Sequence, residues 1–196
     1  MALPRDVCVF CGSQPGNDPA YLETARATGR VLADAGIGLV YGGGRTGMMG
    51  AVADAAIEAG GRVVGIIPEP LKRREVGHLG LAELVVVRSM HERKQMMADR
   101  AGAFVMLPGG FGTFEEFCEI LTWAQLGMHD KPCVLVNTKG YYAPFVAMFD
   151  LALREGFVHP EHRRLAQAVD GPEDLLDAFD RWTPPALERW MVVEDA

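Results

Sequence analysis

The chain has 196 residues, a formal net charge of −7 and 23 glycines, with a sequence pI near 5.2. That length suits one domain with a sizeable core. The acidic balance argues against a nucleic-acid or anionic-membrane surface, so positive charge for an anionic ligand would have to be gathered locally. The sequence has no run of eighteen apolar residues and no signal-peptide pattern, and the expectation is a cytoplasmic protein.

In chain order, Val7-Cys8-Val9-Phe10 reads as a first strand with a glycine-containing loop at 12–17 behind it. Pro19 opens a helix that runs to about 35, where Gly36 ends it. Gly38-Leu39-Val40-Tyr41 is a second strand, followed by a glycine run at 42–50 and an alanine-rich helix to about 59. A third strand spans 62–67, and 68–79 reads as a charged irregular stretch. Leu84-Val85-Val86-Val87 is a fourth strand, and Ser89-x-x-Glu92 is the expected cap of the next helix. The fifth strand is 103–107, with a helix expected over 114–126. A sixth strand spans 132–136, and a helix follows at about 142–155. A short strand near 165–169 and a helix over 172–182 complete the pattern.

Strands alternating with helices predict an α/β fold. We expect a Rossmann-like parallel sheet flanked by helices, with residues 1–182 as one nucleotide-binding domain and 183–196 as a tail. Ligands of such sheets bind beyond the carboxyl ends of the strands. The glycine loops after strands one, two and five fall on that edge, where they can build one site together. Cys8-x-x-Cys11 has the spacing of a redox or metal half-site. Cys8 falls within a strand, however, and Cys118 and Cys133 also lie in core patterns, so all four read as buried thiols. His159 and His162 lack a third ligand, and no metal is expected.

The richest stretch is Pro108-Gly109-Gly110-Phe111-Gly112-Thr113-Phe114-Glu115-Glu116. It joins a buried strand to a helix through glycines that let a ligand approach the backbone closely. A helix start favours an anion, and Glu116 would place an acid in its first turn. A purely structural reading stands beside this one: Thr113-x-x-Glu116 has the form of a capping box. Gly42-x-Gly44-x-x-Gly47 matches the dinucleotide fingerprint in form, but only Glu69 is available as the distant acid. Met48-Met49 stand where a phosphate-binding lysine loop needs Lys and Ser or Thr. A phosphate cradle and a structural tight turn both fit this run. Arg93 falls early in its helix, where a cation opposes the helix dipole at about 0.3–1 kcal/mol if exposed. That mild penalty favours a substrate contact over a solvated face.

Gly42-Gly43-Gly44-x-x-Gly47, Met90-His91-Glu92-Arg93-Lys94, Pro108-Gly109-Gly110-x-Gly112-Thr113-x-x-Glu116 and the run at 121–127 together resemble the LONELY GUY family. These are cytokinin riboside 5′-monophosphate phosphoribohydrolases, long mislabelled lysine decarboxylases, and the likeness covers about 7–158. It implies hydrolysis of the N-glycosidic bond of an adenosine 5′-monophosphate-type nucleotide, giving free base and ribose 5-phosphate without a cofactor. By motif position it implies Arg93 and Glu116 as the catalytic pair. Around the nucleotide it implies Ser13, Gly43, Gly44, Glu75, Met90, Lys94, Gly109, Gly110, Phe111, Gly112, Thr113, Phe114, Glu115 and Thr122. It also implies a homodimer.

The chemistry fits those residue types. Breaking the bond leaves a ribosyl group with oxocarbenium character, which a carboxylate can stabilise or supply with an activated water. Arg93 can assist the departing base, hold Glu116 ionised or bind phosphate. A decarboxylase would need a Schiff-base lysine, and Lys72, Lys94, Lys131 and Lys139 offer no good candidate. The other readings are a non-catalytic carrier of a nucleotide or phosphorylated cofactor and, behind it, a dinucleotide oxidoreductase. For assembly, Met96, Met97 and the apolar run Phe117, Ile120, Leu121, Trp123, Ala124 and Leu126 offer a surface that a two-fold partner would cover. The alternative is that the segment after Val158 folds back over them.

Overall fold

The computed structural model describes residues 3–74, 78 and 80–187. Seven strands form one parallel sheet in the order β4-β3-β2-β1-β5-β6-β7. They are β1 (Asp6–Phe10), β2 (Gly38–Tyr41), β3 (Val63–Pro68), β4 (Glu83–Val87), β5 (Ala103–Met106), β6 (Cys133–Val136) and β7 (Ala166–Val169). β1, β2, β3, β5 and β6 are almost wholly buried, as the continuous apolar runs of a sheet covered on both faces require.

One face packs against α1 (Pro19–Asp34), α2 (Gly47–Glu58) and α8 (Leu175–Asp180), with Leu32, Val52 and Phe179 meeting Val7, Leu39 and Val105. The opposite face packs against α4 (Met90–Arg100), α5 (Phe111–Gln125) and α6 (Ala143–Arg154), where Met97, Phe117 and Ile120 meet Cys8, Phe104 and Leu135. Gly29 sits where α1 crosses α2, and a side chain there would collide with the backbone of Val52.

The order reverses at β1, which pairs with β2 on one side and β5 on the other. The crevice beyond the carboxyl ends of β1 and β5 is therefore the topological switch point, where open parallel sheets hold ligands.

Several boundaries differ from the sequence reading. The stretch after β3 holds a helical turn, α3 (Glu69–Arg74), where an irregular segment was expected. A short helix, α7 (Pro160–Arg163), was not expected, and the last helix is a 3₁₀ turn (Pro172–Asp174) running into α8. α5 starts at Phe111 rather than Phe114, with Gly110 at its N-cap and no side-chain cap bond. This removes the capping-box reading: Thr113 is already the third helical residue, and Glu116 stands in the second turn, not the first. By contrast, Ser89 caps α4 as expected, its hydroxyl accepting from Glu92 N–H at 3.1 Å.

Cys8, Cys11 and Cys133 are buried, whereas Cys118 is exposed on the outer side of α5. Cys8 and Cys11 belong to cores on opposite faces of the sheet, so their spacing makes no pair. No helix among the described residues is long and apolar enough to cross a membrane.

Candidate active site

A cavity of about 240 Å³ opens at the switch point. Its walls come from the end of β1 and the loop behind it (Cys11, Gly12, Ser13), Gly42 after β2, Arg93 and Met97 of α4, and Gly110 to Thr113 with Glu116 at the start of α5. The three glycine loops thus meet at one place. The first turn of α5 forms one wall, and its opening N–H groups have no acceptor within the helix.

Arg93 and Glu116 face each other across this cavity, Arg93 Nη1 lying 3.5 Å from Glu116 Oε1. Both side chains are about nine-tenths buried. The guanidinium is fixed from behind. Its Nε donates to Ile66 O at 3.1 Å and its Nη2 to Gly42 O at 3.3 Å. These carbonyls belong to β3 and to the residue just after β2, so the sheet edge itself orients the fork and leaves Nη1 towards the carboxylate. Gly42 is glycine because a Cβ there would collide with that guanidinium.

The rest of the glycine run after β2 is spent on packing. Gly43 and Gly47 take positive φ, and a side chain at Gly47 would strike the backbone of Ser13 and Gln14. The opening N–H groups of α2, from Met48 and Met49, both donate to Gly12 O. The protein itself therefore satisfies this helix start. Gly43 and Gly44 are buried and do not line the cavity, and in this chain the fingerprint spacing serves a tight turn.

Other residues expected at the site are placed elsewhere. Lys94 Nζ donates to Glu115 Oε1 at 2.5 Å and to Glu119 Oε1 at 2.9 Å, away from the cavity lining. Burial opposes its charge, but the hydrogen bonds to the two carboxylates outweigh that and raise its pKa. Thr122 is exposed, donates to Cys118 O, and lines a separate 170 Å³ groove with Cys118 and Leu121. Met90 stands at the outer end of Arg93, its sulfur 3.9 Å from Nη1. Phe114 packs among Phe111, Tyr142 and Phe145. Gly109 lines an adjoining cavity of about 310 Å³ that shares Gly12, Ser13 and Gly110 with the first. Glu75 lies outside the described residues.

The structure adds residues that sequence reading missed. Tyr142 Oη donates to Leu107 O and Tyr141 Oη to Gly109 O, each at 2.6 Å, so two successive tyrosines hold the loop that opens α5. Their signal was their position just past β6, on the site's own edge of the sheet. Cys11 forms part of the cavity floor. Burial, and then the charge of Glu116, pushes its thiol well up, so it stays a neutral thiol and not a nucleophile. Phe111, 92% exposed at the mouth, stands edge-on to Phe114.

A family model described as "Possible lysine decarboxylase" matches residues 49–179. A cytokinin riboside 5′-monophosphate phosphoribohydrolase of Rhodococcoides fascians is 50% identical over 161 residues, covering 82% of this chain and 81% of the relative. A protein of the same description from Arabidopsis thaliana is 42% identical over 180 residues, covering 92% and 84%. Among solved structures, the molybdenum cofactor binding protein of Rippkaea orientalis superposes with a TM-score of 0.68 at 18% identity, covering 92% of this chain and 98% of that one. The molybdenum cofactor carrier protein of Chlamydomonas reinhardtii gives 0.67 at 22%, covering 90% and 96%. These two structures share the fold alone. On the sequence relatives, with the glycine loops and the Arg93–Glu116 pair in place, the chain belongs to the cytokinin riboside 5′-monophosphate phosphoribohydrolase family.

Proposed function

We propose that the protein hydrolyses the N-glycosidic bond of adenosine 5′-monophosphate-type nucleotides, AMP or cytokinin riboside 5′-monophosphates, to free base and ribose 5-phosphate. The observation that carries this reading is the buried Arg93–Glu116 pair beside an open helix start at the switch point. A phosphate dianion is favoured at the first turn of α5. That anchor would set the ribose against Glu116, with binding energy from the remote phosphate positioning the sugar.

Glu116 is the only carboxylate among the described residues that line the cavity. A two-carboxylate glycosidase arrangement is therefore not what these residues offer. The single carboxylate would stabilise the oxocarbenium-like ribosyl group or take a proton from the attacking water. Arg93, held by the Ile66 and Gly42 carbonyls, would pair with Glu116 and face developing charge on the departing base. The cavity alone is smaller than the ~300–1,000 Å³ usual for ligand sites, whereas together with the adjoining 310 Å³ space it has room for a nucleotide. Phe111 offers an exposed ring at the mouth.

We also read the protein as a homodimer. Of the helices named in its support, Met97 is core and unavailable, and Leu165 and Trp182 from the segment after Val158 cover Ala124. What favours a partner is α6, which has no fully buried residue although its sequence is mostly apolar. Met148, Leu151 and the nearby Phe157 are exposed beside it.

The test is incubation with AMP, adenosine and isopentenyladenosine monophosphate, following free base and ribose 5-phosphate. Release from the monophosphates, with adenosine far slower, is expected. Nucleotide binding without release of base would replace hydrolysis by a carrier role.

A further inference from the structure

Every carbonyl of the loop from β5 into α5 is engaged. Leu107 O accepts from Tyr142 Oη at 2.6 Å, and Pro108 O accepts from Gly12 N–H at 3.1 Å. Gly109 O accepts from Tyr141 Oη at 2.6 Å, and Gly110 O from Phe114 N–H at 3.0 Å. Four successive acceptors are thus tied to the protein beside the cavity that Gly110 helps to line. In an anion site a carbonyl repels the ligand, whereas a backbone N–H attracts it.

The two tyrosines make equal bonds with unequal consequences. In a planar trans peptide the C=O and the N–H point in opposite directions. Tyr142 fixes the peptide between Leu107 and Pro108, and proline carries no N–H. Its bond therefore orients no donor. Tyr141 fixes the peptide between Gly109 and Gly110, whose N–H points away from the tyrosine. That N–H directly precedes those of Phe111, Gly112 and Thr113, which have no acceptor within the helix.

This peptide is also the one most easily inverted, because it joins two glycines. Inversion carries φ of Gly110 from −106° into the positive range, which glycine populates about as readily. It would aim the Gly109 oxygen where the Gly110 N–H now points. The hydroxyl of Tyr141 opposes it. Its ring is held edge-on to Tyr21, with centroids 5.8 Å apart, and to Tyr142 at 4.9 Å, so the hydroxyl has a fixed base.

We propose that Tyr141 is a positioning residue for the 5′-phosphate: its hydroxyl locks the Gly109–Gly110 peptide so that the N–H, and not the carbonyl, meets the anion. This rests on the phosphate placement of the hydrolase reading above.

The experiment measures Kd for AMP, ribose 5-phosphate and adenine by calorimetry, and kcat/KM on AMP and adenosine, for the wild type, Tyr141→Phe and Tyr142→Phe. Tyr141→Phe keeps both ring contacts and loses only the hydroxyl. Its Kd for AMP and for ribose 5-phosphate should rise about 3–10-fold, the size of one net hydrogen bond. Its Kd for adenine and its kcat/KM on adenosine should stay within about twofold, so the preference for AMP shrinks. Tyr142→Phe should melt lower, because the Leu107 carbonyl loses its donor, while the AMP preference stays within about twofold of wild type. An unchanged Kd for ribose 5-phosphate in Tyr141→Phe overturns the proposal. Equal losses on AMP and adenosine, or an equal loss of AMP preference in Tyr142→Phe, also overturn it. If the wild type binds AMP but releases no base, the hydrolase reading fails, and the three proteins' affinities for ribose 5-phosphate still decide the role of Tyr141. A wild type that binds neither AMP nor ribose 5-phosphate overturns that role.

Discussion

Arg93 is held at three of its nitrogens, by Ile66 O, Gly42 O and the approach of Glu116, and a lysine ammonium cannot fill all three positions at once. Arg93→Lys is therefore expected to lose at least about tenfold in kcat/KM on AMP, and a fully active lysine variant would reduce the site's cation to a point charge. Gly42→Ala makes the same argument from the other side. Its methyl group displaces the guanidinium without removing any charged group, so hydrolysis should collapse while the protein still folds. Glu116→Gln should fold and bind AMP while hydrolysis falls by about 10²–10⁴, the usual loss for a general acid–base group. Glu116 stands in the second turn of α5 and outside a capping box, and a variant that melts lower yet turns over normally would remove it from the chemistry. That Arg93 and Glu116 meet at one cavity was legible in sequence, because their motifs fall on the same edge of the sheet. The pairing of Lys94 with Glu115 and Glu119 was not, because adjacent helix positions point about 100° apart and the motif reports only adjacency.

At the scale of elements, the alternation of apolar runs and glycine loops gave the sheet and the meeting of three loops at one edge. The start of α5 was misplaced because the Pro108-Gly109-Gly110 run reads as a continuous loop through Gly112, while the helix begins as soon as Gly110 can serve as N-cap. The C-terminal end of α5 is tied to the approach to β6 by His129, whose Nε2 bonds Ile120 O at 3.0 Å and whose Nδ1 bonds Lys131 N–H at 3.2 Å. A carbonyl only accepts and an amide N–H only donates, so the neutral Nε2–H tautomer satisfies both. Burial pushes this imidazole down to about 4, against the opposing pull of the Ile120 carbonyl. The unfolded chain binds the proton near pH 6.5 and the folded chain only near 4, so stability falls as pH drops through that window and levels below it. The full effect is about 3 kcal/mol. His129→Gln offers one donor and one acceptor without titrating, and urea unfolding at several pH values should show the wild type losing stability relative to it between about pH 6.5 and 4. Parallel slopes for the two proteins would contradict the assignment.

For the whole molecule, the remaining question is what covers the second face. Sequence pattern alone suggested that α5 is apolar nearly all round. The structure divides that surface: Phe117 and Ile120 face the sheet, and the segment after Val158 takes Ala124 through Leu165 and Trp182. The uncovered apolar surface therefore lies mainly on α6, where Met148 is 60% exposed and Phe157, just beyond the helix, 86% exposed. Exposed side chains of that size rarely stand together on a monomer without a partner. A two-fold contact through this surface would bury the same patch on both copies, as closed symmetry requires. Sedimentation at micromolar concentration should give twice the 21.3 kDa chain mass. Met148→Glu, which places two like charges across such an axis, should shift the species to the monomer. The fold should survive, because Met148 contributes little to the chain's own core. A wild type that sediments as a monomer would remove the dimer, and a Met148→Glu protein that stays dimeric would move the contact away from α6.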